Sequence, residues 1–169
     1  MTGADVRDAD HVLEIIETLS RQGRTLAVAE SCTGGGLGAA LTAIPGASTV
    51  FVGGVVAYAN SVKSGLLGVS RSILESRGAV SSETAVAMAT GVKNLLGADW
   101  GVAITGIAGP GGGDPDRPVG TVWIAASGPE RGSTRCARHL FPGDRESIRS
   151  ASVGAALELL SRMIGEADA

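Results

Sequence analysis

The sequence predicts an α/β protein with a mixed sheet and helices on both faces. Three observations predict it. Short apolar runs alternate with segments of helical period through most of the chain. Two further apolar runs flank "GPERG" and read as a hairpin. Glycine reaches 26 residues while aromatics stay at 3%, a mix suited to close approach of helices and strands. With 169 residues, 44% hydrophobic and 18% charged, the chain is long enough for one domain over 1–169 with its core at about 10–164.

Asp10 is expected to cap a first helix, because Val12, Ile15, Ile16 and Leu19 then share one face and Gly23 follows. "TLAVA" (25–29) is short and apolar, like a strand buried on both faces. Leu37, Ala40, Leu41 and Ile44 mark a second helix, stopped by "PG" at 45–46. "STVFVGGVVAYAN" (48–60) predicts a long strand, with Gly53 and Gly54 signalling a bulge or a close contact. "VKSGLLG" and "SRSILESRG" read as two short helical pieces. Ser81 or Ser82 caps a longer helix with Ala85, Ala89, Val92 and Leu96 on its apolar face and Gly97 at its end. "DWGVAITG" (99–106) is another buried strand, and "IAGPGGGDPDRPVG" (107–120) is a loop holding three of the six prolines. "TVWIAAS" and "STRCARHLF" form the hairpin; Asp144 caps a last helix carrying Ile148, Ala151, Ala155, Leu159 and Met163.

Composition excludes several functions. The net charge of −3, the absence of a basic tract and the scarcity of aromatics argue against a nucleic-acid partner. No apolar run reaches the ~18–20 residues that span a bilayer, so no membrane partner is expected. The polar, acidic start "MTGADVRDADH" is neither a signal nor a transit peptide, and a cytoplasmic protein is expected. Cys32 and Cys136 form no CxxC, and His11 and His139 complete no zinc pattern; no metal is expected.

The chemistry concentrates in "LAVAESCTGGGLGAAL" (26–41), where a strand becomes a helix. One reading is a phosphate site. Gly34, Gly36 and Ala39 fit GxGxxA, but the next strand carries no acid to hold a ribose, and no GK[ST] follows any glycine run. A second reading is that the glycines only admit close helix packing. The third is a nucleophile turn. Ser31 would sit at the crevice edge of a parallel sheet, beside backbone amides able to hold an oxyanion. A serine needs a base. "YANSVK" supplies Tyr58 and Lys63 at the end of the neighbouring strand. Cys32 is a rival nucleophile, although side chains of an extended segment alternate, so that only one of Ser31 and Cys32 would face the crevice. Ser48 is a second rival.

"AESCTGGGLGAALTAIPGAS", "FVGGVVAYANSVKSGLLGV", "GAVSSETAVAMA", "AITGIAGPGGGDPDRPVGTVWIA" and "FPGDRESIR" follow one another in order. Together they resemble the CinA C-terminal domain family, the nicotinamide-nucleotide amidohydrolases, over about residues 10–164. The resemblance implies a three-layer α/β/α fold and hydrolysis of the carboxamide of nicotinamide mononucleotide in pyridine-nucleotide salvage. The implied products are nicotinate mononucleotide and ammonia, with no cofactor. It implies a homo-oligomer, for which helices 83–97 and 144–164 can supply an interface. Longer CinA proteins carry a further N-terminal domain; only about ten residues precede the first expected helix, so the stand-alone form is expected. Carried over, Ser31 is the nucleophile, Lys63 the base, and Tyr58 orients Lys63 or relays its proton. Thr105 resembles a substrate contact, and Arg145 in "FPGDRE" resembles a residue that binds the nucleotide phosphate. Thr33, Gly34, Gly35, Ser48, Gly106 and Gly109 complete the expected substrate-binding set. The alternative is a pyridine-nucleotide-binding module without catalysis, or a competence- or damage-associated partner protein.

Overall fold

Val12, Ile15, Ile16 and Leu19 form the buried stripe of helix α1 (Val6–Gln22). The computed structural model describes residues 6–167. Because α1 begins at Val6, Asp10 lies inside it and does not cap it. The polar residues ahead of Val12 carry the helix beyond its apolar stripe. The chain continues through strand β1 (Leu26–Glu30), helix α2 (Gly36–Thr42), a 3-10 turn (Ala47–Thr49) and strand β2 (Phe51–Val56). Helices α3 (Asn60–Gly65), α4 (Arg71–Ser76) and α5 (Ser82–Leu96) lead to strand β3 (Trp100–Gly106). Strands β4 (Thr121–Ser127) and β5 (Thr134–Leu140) and helix α6 (Arg145–Ala167) complete it.

The sheet is mixed, in the order β2-β1-β3-β4-β5. Strands β2, β1 and β3 run parallel; β3–β4 and β4–β5 are antiparallel. The strand expected over 48–60 is shorter, because residues 47–49 coil into the 3-10 turn and Asn60 opens α3. The expected irregularity is present. Leu26 pairs with Phe51 but Ala27 with Gly53, so the register slips at Val52. Gly54 is also a close contact: a Cβ there would lie 2.6 Å from Val28 Cγ2 and 3.1 Å from its carbonyl oxygen.

Alternation along the central strands sorts the core into two layers. Leu26, Val28, Val102 and Ile104 face α1, α2 and α6, and Ala27, Ala29 and Ala103 face α5. Large residues fill the space under three helices, and small ones let α5 lie close through Ala85, Met88, Ala89 and Val92. Each fully buried large side chain contributes ~1.5–3 kcal/mol. On α6, Ile148, Leu159 and Met163 are buried as expected, but Ala151 is exposed. The stripe runs instead through Ser152, Val153, Ala156, Leu157, Leu160 and Ile164. Asp144 caps this helix: its Oδ1 accepts from Ser147 N at 2.9 Å and Ser147 Oγ at 2.7 Å.

The two ends of the parallel strands differ. At the N-terminal end, Asp99 accepts from Arg24 Nη1 at 2.7 Å, Thr25 N at 2.9 Å and Thr25 Oγ1 at 3.0 Å, tying the starts of β1 and β3 together. At the C-terminal end the segments after β1, β2 and β3 converge, and the chemistry-bearing residues lie there.

Candidate active site

Ser31 directly follows β1, and its N–H donates to Ile104 O of β3 at 3.0 Å. The ladder thus extends one residue past the strand and fixes the serine backbone. The chain then turns, with Gly34 N donating to Ser31 O at 3.1 Å. On the neighbouring strand, Ala57 N donates to Glu30 O at 2.7 Å, which brings Tyr58 and α3 alongside.

Lys63, in α3, points back under this edge and is 1% exposed. Its Nζ lies 3.1 Å from Ser31 Oγ, 2.7 Å from Ala57 O and 3.1 Å from Tyr58 O. Among the described residues no carboxylate pairs with it. Burial lowers its pKa from 10.5, partly opposed by Cys32. A neutral amine has two N–H bonds and one lone pair. The two carbonyls accept only, so they take the N–H bonds, and the lone pair is left facing the serine hydroxyl. That arrangement suits proton abstraction from Ser31.

Ser31, Cys32, Lys63, Tyr58, Thr105 and Arg145 line one cavity of about 270 Å³. Gly106 and Gly109 line it too, with Gly111 and Gly112 beside them. Its apolar wall comes from Ala79, Val80, Ile107 and Ala108, which sequence reasoning missed because nothing marks them as a group. Tyr58 meets Lys63 through its carbonyl rather than its phenol. The phenol is turned outward, 62% exposed, with Arg145 Nη2 at 3.4 Å from Tyr58 Oη. Arg145 Nη1 also donates to Gly109 O at 2.8 Å, so the guanidinium spans from one rim of the cavity to the other. The Thr105 hydroxyl donates to Ala79 O at 2.7 Å and so holds the wall.

The structure does not bring every expected residue to this cavity. Ser48 lies in the 3-10 turn before β2, at the opposite end of the parallel strands, and does not line it. Thr33, Gly34 and Gly35 belong to the turn and its exit into α2 and do not line the cavity either. The amides at the start of α2 are already occupied. Glu30 Oε2 accepts from Gly35 N at 3.2 Å and Leu37 N at 3.0 Å, and Oε1 accepts from Gly38 N at 2.8 Å. Gly35 carries the left-handed φ of 98° that lets the chain enter the helix there. A signal for Glu30 was present in the sequence: an acid ends an apolar strand just before helix amides that lack partners.

Ser31 and Cys32 both face the cavity, contrary to the alternation expected of an extended segment, because residues 31–34 form a turn. Electrostatics separates them. Burial pushes the Cys32 thiol up to about 11, with Glu30 adding to the rise against the opposing Cys32 backbone N–H, Lys63 and Arg145. Among the described residues, the N–H groups of Cys32 and Thr33 donate to no other residue. Of the two residues only Cys32 lines the cavity, while Thr33 is fully buried, so the Cys32 amide is the one beside the cavity. No cluster of three or more His, Cys, Asp or Glu that could hold a metal ion occurs among the described residues.

Residues 8–164 match the CinA C-terminal domain. The chain belongs to the CinA C-terminal domain family. It is 54% identical over 146 residues to a CinA-like protein of Synechococcus sp. (strain RCC307), covering 86% of this chain and 35% of that protein. It is 51% identical over 146 residues to a CinA-like protein of Myxococcus xanthus (strain DK1622), covering 86% of this chain and 34% of the relative. The chain thus spans about a third of the length of these curated relatives. The crystal structure of competence/damage inducible protein CihA from Agrobacterium tumefaciens has a TM-score of 0.92 at 38% identity, over 96% of this chain and 99% of that one. A CinA superfamily protein from Escherichia coli has a TM-score of 0.87 at 35% identity, over 96% of this chain and 94% of that one. The mixed sheet with its helical layers is therefore the CinA fold. No helix among the described residues is long and apolar enough to cross a membrane.

Proposed function

We propose that this chain is a serine–lysine amidohydrolase that converts nicotinamide mononucleotide to nicotinate mononucleotide and ammonia, as a cytoplasmic homo-oligomer in pyridine-nucleotide salvage. One observation carries the reading: the Lys63 amine, buried with no carboxylate partner among the described residues, meets the Ser31 hydroxyl at 3.1 Å in a cavity. A module that only binds nucleotide has no use for a buried, uncompensated base against a hydroxyl, since burying an amine costs free energy.

Lys63 Nζ takes the Ser31 proton as Oγ bonds to the carboxamide carbon, and the carbonyl electron pair moves to oxygen. The amide of Cys32 receives that oxyanion, a contact worth ~3–4 kcal/mol. The tetrahedral centre collapses and the carbon–nitrogen bond breaks. The Lys63 proton passes to the leaving nitrogen, which departs as ammonia. Water then attacks the ester carbon, giving a proton to Lys63; the carbon–Oγ bond breaks, Lys63 returns the proton to Ser31 Oγ, and the carboxylate product leaves. The pyridinium charge of the substrate further favours the neutral amine. In the same cavity, the Arg145 guanidinium and the loop at 109–112 suit a phosphate.

Pure protein incubated with nicotinamide mononucleotide should release ammonia, and Ser31→Ala should release none while keeping its circular dichroism. Binding of the nucleotide without any turnover by the wild-type protein would support the binding-module alternative instead.

A further inference from the structure

Glu30 is 2% exposed, and among the described residues its carboxylate bonds to the backbone of the segment that follows the nucleophile. Ser31 is the next residue. The turn between them is held from three sides: Ile104 O takes the Ser31 N–H, Arg149 Nη2 donates to Thr33 O at 2.8 Å, and Glu30 takes the amides of Gly35, Leu37 and Gly38. Only the last is a buried charged side chain, so its loss is not made up by water. The first two fix the strand side and the middle of the turn. The Glu30 contacts fix where α2 starts, and hence the path of the four residues between.

We infer that Glu30 is a positioning residue for the Ser31 nucleophile, its carboxylate anchoring the start of α2 so that Ser31 Oγ meets Lys63 and the Cys32 amide stays free for the oxyanion. The inference rests on the hydrolase reading above. It has two physical parts. Without the carboxylate, the α2 amides are left unpaired and compete for the developing negative charge from the wrong positions. The turn also loses its anchor, and a displacement of about 1 Å at a nucleophile costs on the order of 100-fold in rate. Substrate affinity should be spared, because Arg145 and the 109–112 loop stand on other elements.

Glu30→Gln tests this without changing size. Its single carbonyl oxygen can keep the Gly35 and Leu37 amides, which share Oε2, but its NH₂ then opposes the Gly38 N–H, donor against donor. The experiment compares wild type, Glu30→Gln and Glu30→Ala below their melting temperatures. It reads kcat and KM on nicotinamide mononucleotide and the rate at which a fluorophosphonate labels Ser31. Expected are a kcat about 100-fold lower with KM within about threefold. Labelling should slow in parallel, and Gln should retain more activity than Ala. A folded Glu30→Gln protein with wild-type kcat, or with wild-type labelling where ammonia release cannot be read, overturns the inference; so does a wild-type Ser31 that never labels. If wild type labels at Ser31 yet releases no ammonia, the hydrolase reading fails, and the labelling ratio alone decides the role of Glu30. Should the Gln variant not fold, Glu30→Asp, which keeps the charge but withdraws it by one methylene, is judged by the same two readings.

Discussion

Replacing Lys63 by Met removes one amine and keeps an unbranched apolar stem in the same buried space. Three contacts disappear: to Ser31 Oγ at 3.1 Å, Ala57 O at 2.7 Å and Tyr58 O at 3.1 Å. Each buried carbonyl left without its donor costs ~1–3 kcal/mol. The amine no longer has to be desolvated, which offsets part of that, so the variant should fold with a modest change in melting temperature. Catalysis should suffer far more. A positioned general base supplies about 10²–10⁴-fold, and kcat for ammonia release should fall by that factor with KM little changed. Lys63→Arg should be no better, because a guanidinium keeps its proton at any working pH. The pH profile supplies a second reading. Since burial lowers the Lys63 pKa from 10.5, wild-type kcat/KM should rise with pH through that lowered value and then level off. The rise should be absent from Lys63→Met. Stability follows the same sign: between the lowered pKa and 10.5 the unfolded chain holds the proton and the folded one does not, so stability rises with pH across that window. Below the window both states are protonated and the penalty is constant. A folded Lys63→Met protein retaining more than about a tenth of wild-type kcat, or keeping the rising limb, would refute Lys63 as the base.

Cys32→Ala should keep kcat within about threefold of wild type, because a thiol pushed up to about 11 is not the nucleophile near neutral pH; loss of activity on the scale of Ser31→Ala would reverse the assignment. Arg145→Ala should raise KM for the mononucleotide by about 10–100-fold, the equivalent of one charge-assisted contact, and leave the dephosphorylated nucleoside nearly unaffected. Equal losses on both substrates would remove the phosphate role.

Where the pattern repeats, the sequence carried the fold openly. Short continuous apolar runs located the core strands, and Ser81, Gly97 and Asp144 marked helix ends that the structure reproduces. Two kinds of error share a cause. Asp10 was read as a cap because its residue type suits one, yet the helix continues through it to Val6. Ala151 was placed on the buried face of α6, yet the face is set by Val153, Leu157 and Leu160, whose larger area outweighs an alanine. Local chemistry was readable in both cases; which of two compatible choices wins depends on partners far along the chain. The site shows the same division. Ser31 and Lys63 meet because parallel neighbours end on one edge, a rule that needs only the strand order. Ser48 follows the same rule and fails it: it precedes its strand, and so stands at the other end. The side of the turn facing the cavity could not be read from alternation, since alternation stops where the strand does.

The glycine-rich turn invited a phosphate or an oxyanion to the start of α2, and both ideas assumed that the helix amides were open to a ligand. Glu30 closes them from inside the protein. A helix of seven residues has few such donors, and with three spent on one buried carboxylate the Cys32 amide is what the turn still offers the cavity. For the proposed mononucleotide, recognition of the phosphate then falls to the other groups lining the cavity, Arg145 and the loop from Gly109 to Gly112. On the proposed reading this fixes the direction of the substrate, carboxamide toward Ser31 and phosphate toward Arg145. It also separates the two losses cleanly: damage at Glu30 should appear in kcat, and damage at Arg145 in KM.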